Sequence, residues 1–240
     1  LPHTNRQLPY NCFDEKEYQF VSCYRKTFEV CKQHKGKRIL IDFDGVMVYA
    51  KVYFNGEFIC EHKGGYTPFT ADLTELVLFG SNNVLTVLVD STERADIPPF
   101  GNVVDYLCFG GIYRDVYLRI CDDLYIKNAF ISTPAPLNQT KALEAKLQFS
   151  DRLSGEVTLY FKDVESIISL ESYKVQIAVS TNLLLKDIEG IELWDIDNPK
   201  LYSVDIVLQT DTICETFTTR IGFRDARLTA NGFFLNGKRI

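Results

Sequence analysis

The sequence lacks the features that mark membrane-spanning and nucleic-acid-binding chains. Its longest uncharged run, 76–89, is interrupted by Gly80, Ser81, Asn82 and Asn83, whereas a transmembrane helix needs about 20 consecutive apolar residues. Lys and Arg number 26 against 32 Asp and Glu, giving a net charge of −6. Binding to a phosphate backbone depends on clustered Lys and Arg. We therefore expect neither a nucleic acid nor a membrane as a partner.

Cysteine pairs at metal-ligand spacing are also missing. The chain has seven cysteines and no C-x-x-C pair, and they are spread over its whole length: Cys12, Cys23, Cys31, Cys60, Cys108, Cys121 and Cys214. Disulfide frameworks favour an even count in short secreted chains, and zinc sites need paired ligands. We expect reduced thiols and a cytoplasmic location. His3, His34 and His62 are too far apart for a local metal site, and we expect solvated or locally hydrogen-bonded rings.

The pattern that the sequence does carry is alternation with a period of two residues. Apolar and polar residues alternate through 39–43, 142–149, 157–161, 175–179 and 204–208, as in half-buried strands. Asn55-Gly56 and Asn236-Gly237 each lie between two strand-like segments and supply the positive φ angles of type I′ hairpins. No segment has convincing helical periodicity. About eleven short strands therefore predict an all-β chain of two β-sandwiches.

A change in composition near 121–124 predicts the boundary between the two sandwiches. The chain before it is rich in aromatic residues and glycine, and the chain after it opens with a polar connection containing Pro134 and Pro136. By length, 1–122 suits a jelly roll and 123–224 an immunoglobulin-like sandwich. We expect Trp194 to fill the core of the second sandwich.

One motif is similar in sequence to the nucleophile motif of a class of phosphatases. Asp42 and Asp44-Gly45 follow an apolar strand, as the nucleophile and second aspartate do in haloacid-dehalogenase-like enzymes. That chemistry needs a parallel strand followed by a helix that helps to bind phosphate. Here another strand and the Asn55-Gly56 hairpin follow instead. We interpret the motif as a turn between strands.

Several blocks together resemble glycoside hydrolase family 2, which contains β-galactosidases, β-glucuronidases and β-mannosidases. In the first unit they are 64–74 (GGYTPFTADLT), 80–87 (GSNNVLTV) and 110–118 (GGIYRDVYL), with the hairpin around Asn55-Gly56 just upstream. In the second they are 193–195 (LWD), 198–202 (NPKLY), 220–224 (RIGFR) and 233–240 (FFLNGKRI). The blocks occur in the family's order and cover nearly the whole chain.

The resemblance implies a sugar-binding jelly roll, an immunoglobulin-like domain, and a hairpin over 225–240 that leads into a (β/α)8 barrel. In this family both catalytic glutamates lie on the barrel. The expectation is thus an inactive N-terminal fragment of a retaining exo-β-glycosidase, a β-galactosidase first and a β-glucuronidase second. The alternative from a different class is a free-standing carbohydrate-binding module or adhesin of two sandwiches.

The resemblance also suggests substrate-binding residues. In family members, one Asn and one Asp from loops of the jelly roll reach the active site of the barrel. The matching residues in this sequence are Asn5 and Asp105. In some β-galactosidases the equivalent Asp also helps to hold sodium, so Asp105 is a candidate sodium ligand. The fragment should need no cofactor, while its parent could use sodium or magnesium. The expected partner is a β-linked galactoside or related sugar bound through the barrel. A homo-oligomer is also compatible with the resemblance.

Overall fold

The computed structural model describes all residues except 9, 10, 12, 13, 100–107, 164 and 165. The described residues form two compact units, Leu1–Asp122 and Asp123–Ile240. The all-β prediction is confirmed, because the only helical elements in the described part are three-residue 3₁₀ turns. The strands are β1 (Val21–Glu29), β2 (Arg38–Phe43), β3 (Tyr49–Phe54), β4 (Glu57–Lys63), β5 (Phe69–Asp72), β6 (Asn82–Asp90), β7 (Val116–Cys121), β8 (Ile126–Ser132), β9 (Lys141–Asp163), β10 (Ser166–Ile188), β11 (Tyr202–Gln209), β12 (Cys214–Ile221), β13 (Ala226–Thr229), β14 (Gly232–Leu235) and β15 (Lys238–Arg239).

The first unit is a sandwich of two antiparallel sheets with strand orders β1-β6-β3-β4 and β5-β2-β7. Alternate side chains of the strands face a shared core, in which Ile39 of β2, Phe54 of β3 and Val89 of β6 have no exposed surface. Complete burial of one such side chain contributes about 1.5–3 kcal/mol. The alternation that predicted strands from the sequence is therefore the pattern that builds this core.

The Asn55-Gly56 hairpin between β3 and β4 is confirmed. Asn55 has φ 51° and Gly56 φ 93°, both in the left-handed region that a type I′ turn requires. The Asn55 side chain also accepts a hydrogen bond from the backbone N–H of Val84 at 2.8 Å and donates to Asn83 Oδ1 at 2.9 Å. Asn83 is fully buried, so the turn residue satisfies the polar groups at one end of the sandwich.

The second unit has the strand order β10-β9-β11-β12, with β8 paired to β9. The sequence predicted separate strands at 142–149 and 157–161, but both belong to the 23-residue strand β9. The first half of β9 pairs with β8 and the second half with β11. Register shifts against β10 around Ala178 divide the two halves, and side chains of both contribute to one core.

Trp194 is not the core side chain that we expected. It is partly exposed, its ring lies 4.9 Å from the Arg224 guanidinium, and the fully buried aromatic cluster consists of Phe161, Tyr202 and Phe223. The aromatic count of the sequence could not distinguish which ring enters the core.

Residues 225–240 form a small sheet of their own, β13-β14-β15, within the second unit. Asn236, at φ 51° in the predicted Asn-Gly turn, holds this sheet to the sandwich. Its backbone N–H donates to Asp225 O at 2.7 Å, and its Nδ2 donates to Trp194 O at 3.0 Å. The backbone N–H of Asp225 donates to Asn236 Oδ1 at 3.0 Å. The predicted role of this segment, as a hairpin leading into a further domain, stays a prediction.

Candidate functional site

The candidate site is built on an N-terminal segment that adds a short edge to the first sandwich. The backbone N–H of His3 donates to Ile112 O at 2.8 Å, and that of Asn5 donates to Gly110 O at 2.9 Å. On the opposite side, Gly111 and Met47 exchange two backbone hydrogen bonds of 3.0 and 3.1 Å. Residues 110–112 therefore lie between Met47 and the segment that carries Asn5.

Two adjacent glycines permit this close approach. Gly111 has φ +121°, and a Cβ built on it would lie 2.6 Å from His3 O and 2.7 Å from the Tyr24 hydroxyl. A Cβ on Gly110 would lie 2.1 Å from Ser91 Cβ and 2.8 Å from Asn5 Nδ2. Gly111 combines a positive φ with the absence of space for a side chain, and Gly110 has no space for one, so glycine is required at both positions. The Gly-Gly pair that contributed to the family resemblance thus has a local structural reason.

Asn5 has one satisfied and one unsatisfied side-chain group. Its Nδ2 donates to Ser91 Oγ at 2.9 Å. Its Oδ1 is buried and has no hydrogen-bond partner among the described residues. An unsatisfied buried acceptor typically costs about 1–3 kcal/mol, and such a group marks a place where a ligand's donor would be stabilising. A groove of about 510 Å³ runs along residues 2–7 and includes Asn5 in its lining.

Ser91 is the residue that sequence analysis missed. Its side chain is 4% exposed, and its Oγ lies within hydrogen-bond distance of Asn5 Nδ2, Phe20 N, Phe20 O and Tyr18 O. The hydroxyl thereby joins the end of β6 to the segment before β1 and to Asn5. Nothing local in the sequence signals this contact, since Ser91 and Asn5 are 86 positions apart.

His3 lies beside Asn5 and contacts Tyr24 of β1. The His3 Nδ1 is 3.0 Å from the Tyr24 hydroxyl, and the two rings meet edge to face. Burial raises the pKa of Tyr24, with hydrogen bonds from the Ile112 backbone and from Ser22 acting against it. Tyr24 therefore stays a neutral hydroxyl that fixes the imidazole, and His3 is locally hydrogen-bonded as expected.

Asp105, the second sequence candidate, lies outside the described residues, and so does its predicted sodium contact. In the chain it precedes Gly110, the partner of Asn5, by five positions. The described residues contain no group of three or more His, Cys, Asp and Glu side chains arranged to hold a metal ion. The roles of Asp105 in substrate and sodium binding stay predictions.

The segment that leads toward Asp105 is anchored at its start. Lys63 of β4 donates to Asp96 at 2.9 Å and Arg94 donates to it at 3.0 Å. The hydrogen bonds from Arg94 and then Lys63 hold the pKa of Asp96 well below its usual range. Ile97, 1% exposed, packs with Met47 and Val48. These contacts fix residues 94–97 beside Met47, Val48 and Lys63.

Asp42 is occupied by a structural ion pair rather than by phosphate chemistry. It lies in the middle strand β2 of an antiparallel sheet, and Arg119 of β7 donates to both of its carboxylate oxygens. Burial acts to raise the pKa of Asp42, but hydrogen bonds from Arg119 and Thr70 outweigh it, and the pKa is lowered. Asp42 lies within β2 rather than in a turn, which corrects that part of our interpretation.

A larger cleft of about 620 Å³ opens between β1 and β7 of the first unit. Its floor is formed by core side chains, including Ile41, Phe43 and Val87. Hydroxyl and charged side chains, among them Tyr24, Glu29 and Asp115, also line this cleft. None of the lining residues has a buried side-chain polar atom without a partner in the described part of the chain, whereas Asn5 Oδ1 is such an atom, so we place the candidate site at Asn5.

Two further expectations concern the environment of the chain. The six described cysteines, all but Cys12, form no disulfide with one another. None of the helical turns in the described part of the chain comes near the length or hydropathy of a membrane-spanning segment.

Comparison with known proteins identifies the family. Residues 3–121 match the profile described as "Glycosyl hydrolases family 2, sugar binding domain", and residues 115–224 match "Glycosyl hydrolases family 2". The chain belongs to glycosyl hydrolase family 2. Its two sandwiches are accordingly the sugar-binding jelly roll and an immunoglobulin-like domain of that family.

Family 2 relatives match the chain over nearly its full length. A β-galactosidase from Thermoanaerobacterium thermosulfurigenes is 40% identical over 100% of this chain and 35% of its own length. A β-glucuronidase from Bacteroides fragilis is 32% identical over 92% of this chain and 34% of its own length. The crystal structure of Parabacteroides merdae β-glucuronidase superposes with a TM-score of 0.83 at 25% identity, covering 93% of this chain and 30% of that one. The chain thus spans about a third of the length of these family 2 relatives.

Proposed function

We propose that the chain forms the sugar-binding and immunoglobulin-like part of a retaining β-galactosidase, and that the catalytic carboxylates lie outside residues 1–240. The choice of galactoside over glucuronide rests on the higher identity to the β-galactosidase, 40% against 32%. The single structural observation that supports a role in sugar binding is the buried, unsatisfied Oδ1 of Asn5.

In this proposal the jelly roll orients the substrate rather than breaking its bond. Asn5 Oδ1 accepts a hydrogen bond from a sugar hydroxyl, and Asp105 accepts a second one. A site that hydrogen-bonds hydroxyl groups strongly rejects analogues that lack them, because its buried polar atoms are then left unpaired. The sandwich thereby contributes to substrate selection without supplying a catalytic group.

Retention at the anomeric carbon needs two carboxyl groups about 5–5.5 Å apart, one as acid/base and one as nucleophile. The Asp42 carboxylate is engaged by Arg119, and that of Asp96 by Arg94 and Lys63. A carboxylate held in such ion pairs is a poor general acid, since its proton affinity is lowered. Both residues therefore suit structural roles, and the proposal assigns the chemistry to a separate domain.

The test compares the 240-residue chain with the full-length protein on aryl β-galactosides and aryl β-glucuronides. The expected result is turnover of the galactoside by the full-length protein alone. Turnover by purified 1–240 would overturn the assignment of the catalytic groups, and preference for the glucuronide would overturn the substrate.

Calorimetric titration of residues 1–240 with galactose and lactose distinguishes the alternative of a free-standing carbohydrate-binding module. The proposal expects no saturable binding by the isolated chain at millimolar sugar, because the side chains of Asn5 and Asp105 alone supply few contacts. A stoichiometric binding curve would favour the module instead.

A further inference from the structure

We infer that Ser91 is a positioning residue that fixes the amide of Asn5 with its oxygen available to the ligand, so that Asn5 acts as a hydrogen-bond acceptor for a donating sugar hydroxyl. This rests on the proposed function for the identity of the ligand, but the orientation of the amide follows from the contacts of Ser91 alone.

The orientation follows from the number of protons at Ser91 Oγ. A serine hydroxyl carries one proton and two acceptor lone pairs. Two carbonyl oxygens, Phe20 O at 2.7 Å and Tyr18 O at 3.0 Å, compete for that single proton. The backbone N–H of Phe20 donates to Oγ at 3.2 Å, which leaves one lone pair. Only a donor can use this remaining position, and Asn5 Nδ2 lies there at 2.9 Å.

The single proton of the Ser91 hydroxyl also disfavours the reverse orientation of the Asn5 amide. With Oδ1 facing Ser91, two oxygens would lie 2.9 Å apart with no proton between them, unless the hydroxyl gave up its carbonyl partners. The Asn5 backbone N–H donates to Gly110 O at 2.9 Å, which restrains the backbone against moving away to relieve this contact. The side chain therefore has one stable orientation.

The chemical consequence is a direction of hydrogen bonding. With Nδ2 committed to Ser91, the acceptor Oδ1 is the group left for a ligand, and it is buried without a partner among the described residues. A sugar hydroxyl must then donate to Asn5. A fluorine substituted for that hydroxyl could accept a hydrogen bond but could not donate one, and a hydrogen could do neither. Asn5 should therefore reject both replacements.

The first experiment tests the orientation in the 240-residue chain without any substrate. In chain selectively labelled with ¹⁵N-asparagine, the Asn5 side-chain NH₂ signals, assigned by their loss in Asn5→Asp, should exchange slowly with water. In Ser91→Ala they should exchange at least about tenfold faster. Thr92→Val is the matched control, because the Thr92 hydroxyl donates to Asp90 at 2.7 Å and not to Asn5. Equal exchange in the parent chain and in Ser91→Ala would overturn the inference.

A second variant keeps the test decisive if the alanine change unfolds the unit. Ser91→Cys retains the size of the side chain but replaces oxygen with a weaker sulfur acceptor. A folded Ser91→Cys chain with accelerated Asn5 exchange supports the inference, and one with parental exchange overturns it.

The second experiment measures kcat/KM of the full-length protein on an aryl β-galactoside and its monodeoxy and monodeoxy-fluoro analogues. On the parent sugar, Ser91→Ala should lower kcat/KM about tenfold. On the analogues that lack the donating hydroxyl, parent and variant should agree within about twofold, because the interaction is already lost. A loss of equal size on every substrate would identify a merely structural role and overturn the inference. If the full-length protein does not turn over galactosides, the proposed function fails, while the exchange measurement still decides the orientation.

Discussion

Arg119 of β7 holds Asp42 of β2 with two hydrogen bonds, Nε to Oδ2 at 2.6 Å and Nη2 to Oδ1 at 2.9 Å. The two residues lie diagonally across adjacent strands, since Asp42 is paired with Tyr117 and Arg119 with Leu40. Both side chains are partly exposed, 36% for Arg119 and 24% for Asp42. This two-point contact joins the middle strand of the sheet to its edge strand.

Asp42→Asn should lower the free energy of unfolding by about 1 kcal/mol at pH 7, a value reduced for solvent screening. The folded-state pKa of Asp42 is lowered, so its contribution is present above the unfolded value of about 3.9 and is lost as pH falls through the folded pKa. Urea unfolding at pH 7 and at pH 3 measures both. The difference between parent and variant should be smaller at pH 3 than at pH 7, and a constant difference at both pH values would contradict this origin.

Gly111→Ala should destabilise the first unit by about 3 kcal/mol, because it combines a left-handed backbone with direct overlap. Gly36→Ala is the matched control: Gly36 has φ +86°, but nothing lies within 4 Å of its added Cβ. It should lose only about 1 kcal/mol from backbone strain. Thermal unfolding of both variants separates the two effects. Equal losses would mean that the N-terminal segment does not depend on the absence of a side chain at position 111.

Asp105→Asn in the full-length protein should lower kcat/KM on an aryl β-galactoside by about ten- to a hundredfold, if its carboxylate accepts a hydrogen bond from substrate. The melting temperature should change little. A purely structural turn residue predicts the opposite combination, a lower melting temperature with near-normal kcat/KM. Measurement of both quantities on one purified variant therefore decides the role of this residue.

Asn236→Ala should loosen residues 225–240 while leaving the second sandwich folded. The substitution removes the hydrogen bonds to Trp194 O and from the backbone N–H of Asp225. Hydrogen exchange followed by mass spectrometry should show about tenfold faster exchange in 225–240. Asn231→Ala, an exposed asparagine in the turn between β13 and β14, is the control and should leave exchange near parental. Unchanged protection in Asn236→Ala would show that other contacts hold the segment.

The parts of the fold that depend on local chemistry could be predicted from the sequence. Alternation identified strands that contribute to both cores, among them 39–43, 142–149 and 204–208, although Val179 of the predicted strand 175–179 is exposed. The φ angles of Asn55-Gly56 and Asn236-Gly237 are those that the dipeptides predict. The contacts that bring distant segments together could not. Arg119 and Asp42 are 77 positions apart, and no local pattern encodes which strands become neighbours. The two strands predicted at 142–149 and 157–161 are one strand, β9, for the same reason. Its irregular pairing with β10 is a contact between separate segments, which no local pattern encodes.

The candidate site was predicted only in part. Asn5 was identified through the family resemblance, and its buried Oδ1 is a property that only the structure could reveal. Ser91 carries no motif: the residues around it are those of a strand end, and its importance arises from Phe20, Tyr18 and Asn5 meeting at one hydroxyl. The sequence shows which residue types are present. Only the structure shows how many polar groups lie within hydrogen-bond distance of the Ser91 hydroxyl.

The pairing of residues 3–5 with 110–112 also sets an order of events during synthesis. The His3–Ile112 hydrogen bond joins positions 109 apart, and Gly111 must be present before either Met47 or the N-terminal segment can pair with it. At about 5–20 residues per second, a ribosome needs about 5–20 seconds to add those positions. Throughout that interval the segment that carries Asn5 emerges without its partner. The candidate site can thus form only after residue 112 has been translated, when β7 is the one strand of the described first sandwich still to be added.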